Sequence, residues 1–221
     1  MGGLSQVVER IVAAAERAGR DPAEITLVAV TKTASDAAVR AAIAAGHRDF
    51  GENRTDRLAH GATLAPEARW HMIGRLQTNK VNRARPVTAL LHSLDRTRLA
   101  DKWARGEEPA PPVLVQVNVA DDPAKAGAAP GEAPKLVEYA LGLGLEVRGL
   151  MTIPPLALRA EDSRPHYRRM AALRDDLAAR YLGITELSMG MTNDFEVAVE
   201  EGATVLRVGR AIFGPFEENR G

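Results

Sequence analysis

Leu4, Val7, Val8, Ile11, Val12 and Ala15 recur at the spacing of one helical face, so the chain is expected to open on an amphipathic helix that ends at Gly19. Residues 25–30 follow as a short, wholly apolar, β-rich run, the pattern of a strand buried on both faces. From there the two patterns alternate. Ser35 is placed to cap a helix reaching about residue 45, and further strands are predicted at 47–50, 70–74, 89–94, 112–119, 145–152, 186–190 and 204–209. Helical stretches separate nearly all of them. They fall after Asn53, after Thr78, over 96–105, over 132–143, along the stripe Tyr167, Met170, Leu173, Leu177 and Tyr181, and over 194–201. A loop rich in Gly, Ala and Pro covers 121–134.

Strict alternation implies a parallel sheet, and eight units are the number that closes a barrel. The expected fold is α/β, a single (β/α)8 TIM-type barrel with an additional N-terminal helix, one domain over residues 1–221. An open doubly wound sheet is the alternative, and it favours a Gly-rich loop after the first strand. This chain has Thr31-Lys32-Thr33-Ala34-Ser35 there, with no glycine.

Composition removes several function classes. Lys+Arg and Asp+Glu both number 29, so the basic surplus of a nucleic-acid binder is missing. The absence of cysteine excludes disulfides, thiol chemistry and thiolate-held metals. The five histidines, at 47, 60, 71, 92 and 166, show no zinc-type spacing. No apolar run approaches the roughly 18 residues of a membrane span, and the N-terminus lacks a signal-peptide core. A cytoplasmic protein without membrane or nucleic-acid partners is expected, and a complete set of barrel units favours a monomer.

In a barrel, function collects in the loops after the strands. Lys32 follows the first strand, where loss of hydration favours the neutral amine that attacks a carbonyl; otherwise it is a solvated rim lysine. After the seventh and eighth strands, Ser188, Gly190, Gly209 and Arg210 suit a phosphate, since hydroxyls, close-approaching glycine backbone and the first amides of a helix all bind anions. Strand eight adjoins strand one in a closed barrel, which brings that phosphate beside Lys32. A phosphorylated aldehyde or ketone follows, either an aldolase substrate or pyridoxal 5′-phosphate (PLP). Arg207, inside an apolar strand, needs an acceptor, which is either a carboxylate or the ring nitrogen of PLP. Asn53 either hydrogen-bonds near the ring or caps a helix. His71 reads as a satisfied core histidine. Gln77, Asn79 and Lys80 line the mouth or start a helix, and Lys125 is a lid residue or simply exposed.

Taken in order, these segments resemble the pyridoxal phosphate homeostasis protein family. The likeness runs through Val30-Thr31-Lys32-Thr33, Phe50-Gly51-Glu52-Asn53-Arg54, and the stretch from Trp70-His71-Met72-Ile73-Gly74 to Gln77-Thr78-Asn79-Lys80. It continues in His92-Ser93-Leu94-Asp95, Gln116-Val117-Asn118-Val119, Gly149-Leu150-Met151-Thr152-Ile153-Pro154, residues 187–194, and Arg207-Val208-Gly209-Arg210-Ala211-Ile212-Phe213-Gly214. The resemblance implies a barrel like the N-terminal domain of alanine racemase with PLP as a Schiff base on Lys32. It also implies phosphate contacts from Ser188, Gly209 and Arg210, and a ring-nitrogen partner in Arg207. It further implies storage or delivery of PLP, with PLP-dependent apo-enzymes as partners, and an influence on amino-acid and keto-acid balance. Thr31, Arg75 and Thr192-Asn193-Asp194 depart from the commoner family pattern.

An amino-acid racemase is the enzymatic alternative, and it needs acid–base groups on both faces of the cofactor. The three tyrosines, 139, 167 and 181, all fall inside predicted helices, so none is placed as a second base. A PLP-independent Schiff-base aldolase is the third reading, with Glu52 as its only obvious proton shuttle.

Overall fold

The computed structural model describes residues 2–122, 125–156 and 158–214. Its strands are β1 (Thr26–Val30), β2 (Asp49–Glu52), β3 (Arg69–Met72), β4 (Leu90–Leu94), β5 (Val113–Val117), β6 (Val147–Thr152), β7 (Glu186–Ser188) and β8 (Val205–Val208). They pair in sequence order, all parallel, and β8 returns to β1 to close the barrel. The eight-stranded expectation holds, and the open sheet is excluded.

The helices are α1 (Gly2–Arg17), α2 (Asp36–Ala44), α3 (Thr55–Leu64), α4 (Val81–Ala84), α5 (Thr97–Ala104), α6 (Ala133–Gly142), α7 (Arg164–Ala178), α8 (Phe195–Glu200) and α9 (Arg210–Phe213). Ser35 caps α2 as its sequence position predicts, its hydroxyl accepting the Ala38 amide at 3.2 Å.

The largest apolar cluster lies between sheet and helices, where Phe50, Trp70, Leu58, Trp103, Tyr167 and Phe195 are all buried. A second, separate cluster holds only Leu90, Leu114 and Met151. Much of the lumen is filled instead by polar side chains. His92 on β4 reaches Ser188 on β7, and Arg207 on β8 reaches the Thr152 carbonyl on β6. Neither pair of strands is adjacent, so both bonds cross the barrel.

The second strand is displaced from the predicted 47–50 to Asp49–Glu52. The His47 amide donates to Ala42 O and the Arg48 guanidinium to Ile43 O, so both residues satisfy the orphan carbonyls at the end of α2. Strand pairing begins only at Asp49, opposite Arg69. The shift carries Glu52 and Asn53 to the C-terminal mouth of the barrel. No helix among the described residues is long and apolar enough to cross a membrane, and no described cluster of side chains could hold a metal ion.

Candidate functional site

A cavity of about 430 Å³ opens at the C-terminal ends of the strands, within the size range of small-molecule sites. Its wall takes Lys32 from the loop after β1, Asn53 after β2, Gly74 after β3, Asp194 after β7, and Arg207, Gly209 and Arg210 on and after β8. Two close approaches shape it. A Cβ on Gly209 would lie 3.0 Å from the Val30 carbonyl oxygen, so glycine lets the β8 loop press against β1 next to Lys32. A Cβ on Gly74 would lie 2.2 Å from the Asn53 carbonyl oxygen, so glycine lets the β3 loop seat the residue that carries Asn53.

Lys32 is exposed on a turn two residues beyond β1. The expected loss of hydration is therefore not built into the protein; only a ligand in the cavity would exclude water there. The turn itself is fixed from below. The Thr31 hydroxyl donates to Glu52 Oε1 at 2.6 Å, and Arg57 Nη2 donates to the Thr31 and Ala34 carbonyls. Glu52 is buried and does not line the cavity, which leaves the aldolase alternative without its carboxylate.

Arg207 forms part of the cavity lining although 4% exposed. Its Nη1 donates to Ser188 Oγ at 2.6 Å and its Nη2 to Thr152 O at 2.8 Å. Both acceptors are neutral, and Arg207 is in no ion pair among the described residues. Burial pushes its pKa down to about 10, with Tyr167 and Asp194 opposing the shift, so it remains cationic at neutral pH.

Ser188 and Gly190 lie beneath the lining rather than in it. Ser188 is fully buried, its hydroxyl shared between Arg207 and His92. Gly190 turns the chain at φ +90°, and a Cβ there would meet Ala198 and Leu206 instead of the cavity. Gly209 and Arg210 are at the wall, where the first amides of α9 have no intrahelical acceptor. Asn53 is exposed to the cavity and does not cap α3, whose N-cap is Arg54. His71 is a buried, hydrogen-bonded core histidine as expected. Lys125 donates to the Pro154 carbonyl at 3.1 Å, which ties the long loop after β5 to the segment after β6.

Of that β6 segment only Ile153 and Pro154 entered the sequence reading, as the end of a resemblance motif, yet Ile153, Pro155, Leu156 and Leu158 form one side of the cavity. Its signal was an apolar, proline-rich run in a position where a βα-loop is ordinarily polar. Leu156 and Leu158 are almost wholly exposed.

Residues 4–216 match the family model described as alanine racemase, N-terminal domain. A pyridoxal phosphate homeostasis protein of Aquifex aeolicus is 43% identical, with 96% of each chain covered. One from Pseudomonas aeruginosa is 44% identical, covering 96% of this chain and 93% of its own. The chain belongs to the pyridoxal phosphate homeostasis protein family. The solved structure of PipY from Synechococcus elongatus, with PLP bound, superposes with a TM-score of 0.75 at 33% identity, covering 94% of this chain and all of its own. The family resemblance read from the ordered motifs is thereby established over nearly the whole length.

Proposed function

We propose that this protein binds PLP through Lys32 and acts in PLP homeostasis, storing the cofactor or delivering it to apo-enzymes. One observation carries the reading: a lysine, a buried arginine and a glycine-led helix start converge on one cavity at the β8–β1 seam. The residues fit the group. Lys32 presents a primary amine at the rim, Arg207 a fixed cation in the floor, and Gly209 and Arg210 amides and charge for a phosphate. The PLP bound by PipY and the names of the two bacterial relatives support the same cofactor. Bound there, PLP supplies an aldehyde that condenses with a lysine amine to a Schiff base, with loss of water, and an electron sink for amino-acid chemistry.

The protein's own side chains favour holding over turnover. Arg207 cannot give up its proton to a ring nitrogen at neutral pH, so it leaves any sink weak. No tyrosine lines the cavity among the described residues: Tyr139 donates to Asp101 on the outside, and Tyr167 is fully buried. The racemase alternative therefore lacks a tyrosine as its second base among the described residues. Ser188 and Gly190 contribute from beneath, by holding Arg207 through the Ser188 hydroxyl and the Gly190 carbonyl. We assign the protein to the cytoplasm, acting as a single-domain monomer.

The test is the visible absorbance of purified protein given excess PLP, beside Lys32→Ala. A lysine-bound cofactor band is expected in the native protein and its loss in the variant. A native protein that shows no Lys32-dependent band overturns the proposal.

A further inference from the structure

Arg207 is the upper end of a file of buried polar side chains that runs across the barrel. Ser188 Oγ, which accepts from Arg207, lies 2.9 Å from His92 Nδ1. His92 Nε2 lies 3.0 Å from His71 Nδ1, and His71 Nε2 lies 3.1 Å from Asp49 Oδ1. Arg69 grips the same carboxylate from outside. His92 and Ser188 are fully buried, and His71 and Asp49 nearly so. Polar groups in a lumen destabilise the fold unless each finds a partner, and here each has one.

The two ends of the file dictate where its hydrogens lie. Burial acts to raise the Asp49 pKa, but His71 and Arg69 outweigh it and hold the carboxyl below its ordinary range. Asp49 is thus an acceptor only, and His71 must carry its proton on Nε2. If His71 is neutral its Nδ1 is bare, and His92 must then carry its own proton on Nε2. That leaves His92 Nδ1 bare, and the Ser188 hydroxyl must donate to it. Ser188 Oγ is left with lone pairs only for Arg207, which always donates. Burial, reinforced by the Arg207 cation, keeps His92 well below its ordinary pKa and hence neutral.

We infer that His71, His92 and Ser188 form a one-way hydrogen-bond relay that positions the Arg207 guanidinium for an acceptor atom in the cavity. The inference rests on the PLP reading, in which that acceptor is the ring nitrogen. The three are positioning residues, acting on a ligand only through Arg207. With Ser188 unable to turn its hydrogen toward Arg207, the guanidinium has one seat, fixed by Ser188 on one side and the Thr152 carbonyl on the other.

Side-chain nitrogen NMR of the ¹⁵N-labelled, ligand-free protein at neutral pH tests the proton order directly. His71 and His92 are both expected as neutral rings protonated on Nε2. An imidazolium at either, or an Nδ1–H form of His92, overturns the relay even if every binding variant misfolds. The second arm compares binding of PLP with that of its carbocyclic analogue, in which the ring nitrogen is replaced by C–H. The native protein is expected to prefer PLP by about tenfold, the value of one charge-assisted hydrogen bond. His92→Phe should lose most of that preference, and His92→Asn, which keeps an oxygen to accept from Ser188, should restore it. A His92→Phe protein that weakens for both ligands equally, or for neither, overturns the positioning role. Equal native affinity for the two ligands overturns that role alone, whereas no native binding of either overturns the PLP reading with it.

Discussion

Glu52 is buried beside the turn that carries Lys32, with Oε1 accepting from Thr31 and Oε2 lacking a hydrogen-bond partner among the described residues. Burial penalises its charged form more than Thr31 and Arg57 favour it, so its pKa is raised. The folded chain therefore holds this proton more tightly than the unfolded chain does. The stabilisation is complete below the ordinary glutamate range and is lost as pH rises through the raised value. Glu52→Gln cannot titrate, so its Tm should decline less than that of the native protein as pH rises from the ordinary glutamate range toward neutrality. Parallel melting curves at several pH values decide it, and identical slopes would clear Glu52 of the effect. At this scale Lys32, Arg207 and Gly209 were legible because each follows or ends a strand with a clear apolar pattern. The work of Ser188 was not, because its partners lie 96 residues away on β4 and 19 away on β8. Only a closed barrel brings a β4 histidine and a β7 serine together, and periodicity along the chain carries no trace of it.

Among the elements, the loops after β2 and β3 work as a pair. A methyl at Gly74 would press on the Asn53 backbone rather than on a side-chain tip, so neither loop can yield cheaply. Gly74→Ala is expected to cost about 1–3 kcal/mol in urea unfolding and to weaken PLP binding through the displaced Asn53. Gly142→Ala, at the end of α6 with open space around the new methyl, serves as the control and should be neutral or slightly stabilising. The element pattern was read correctly except at its edges. The second strand was placed two residues early because the short run from His47 to Phe50 has no pattern that marks where the helix end stops and the strand begins. In the fold His47 and Arg48 cap α2, a competition between a helix end and a strand start that sequence pattern does not resolve. The wall built by the β6 loop was missed for a related reason. An apolar, proline-rich loop resembles mere connection until the strands show that it overhangs the mouth.

At the level of the molecule, eight alternating units were enough to name a barrel, because no other common parallel sheet closes at that number. Closure also fixes which loops face each other, and so it decided that the β8 loop would stand beside Lys32. The seam between β1 and β8 joins the first strand to the last, with Thr26 to Ala29 paired along Val205 to Val208. A ligand bonded to Lys32 on one side and gripped by Gly209 and Arg210 on the other would lie across that seam as a clasp. The consequence is mechanical. Drawn apart by its two ends in an optical trap, a barrel loaded with PLP should tear open at a higher force than an empty one, and the difference should vanish in Lys32→Ala.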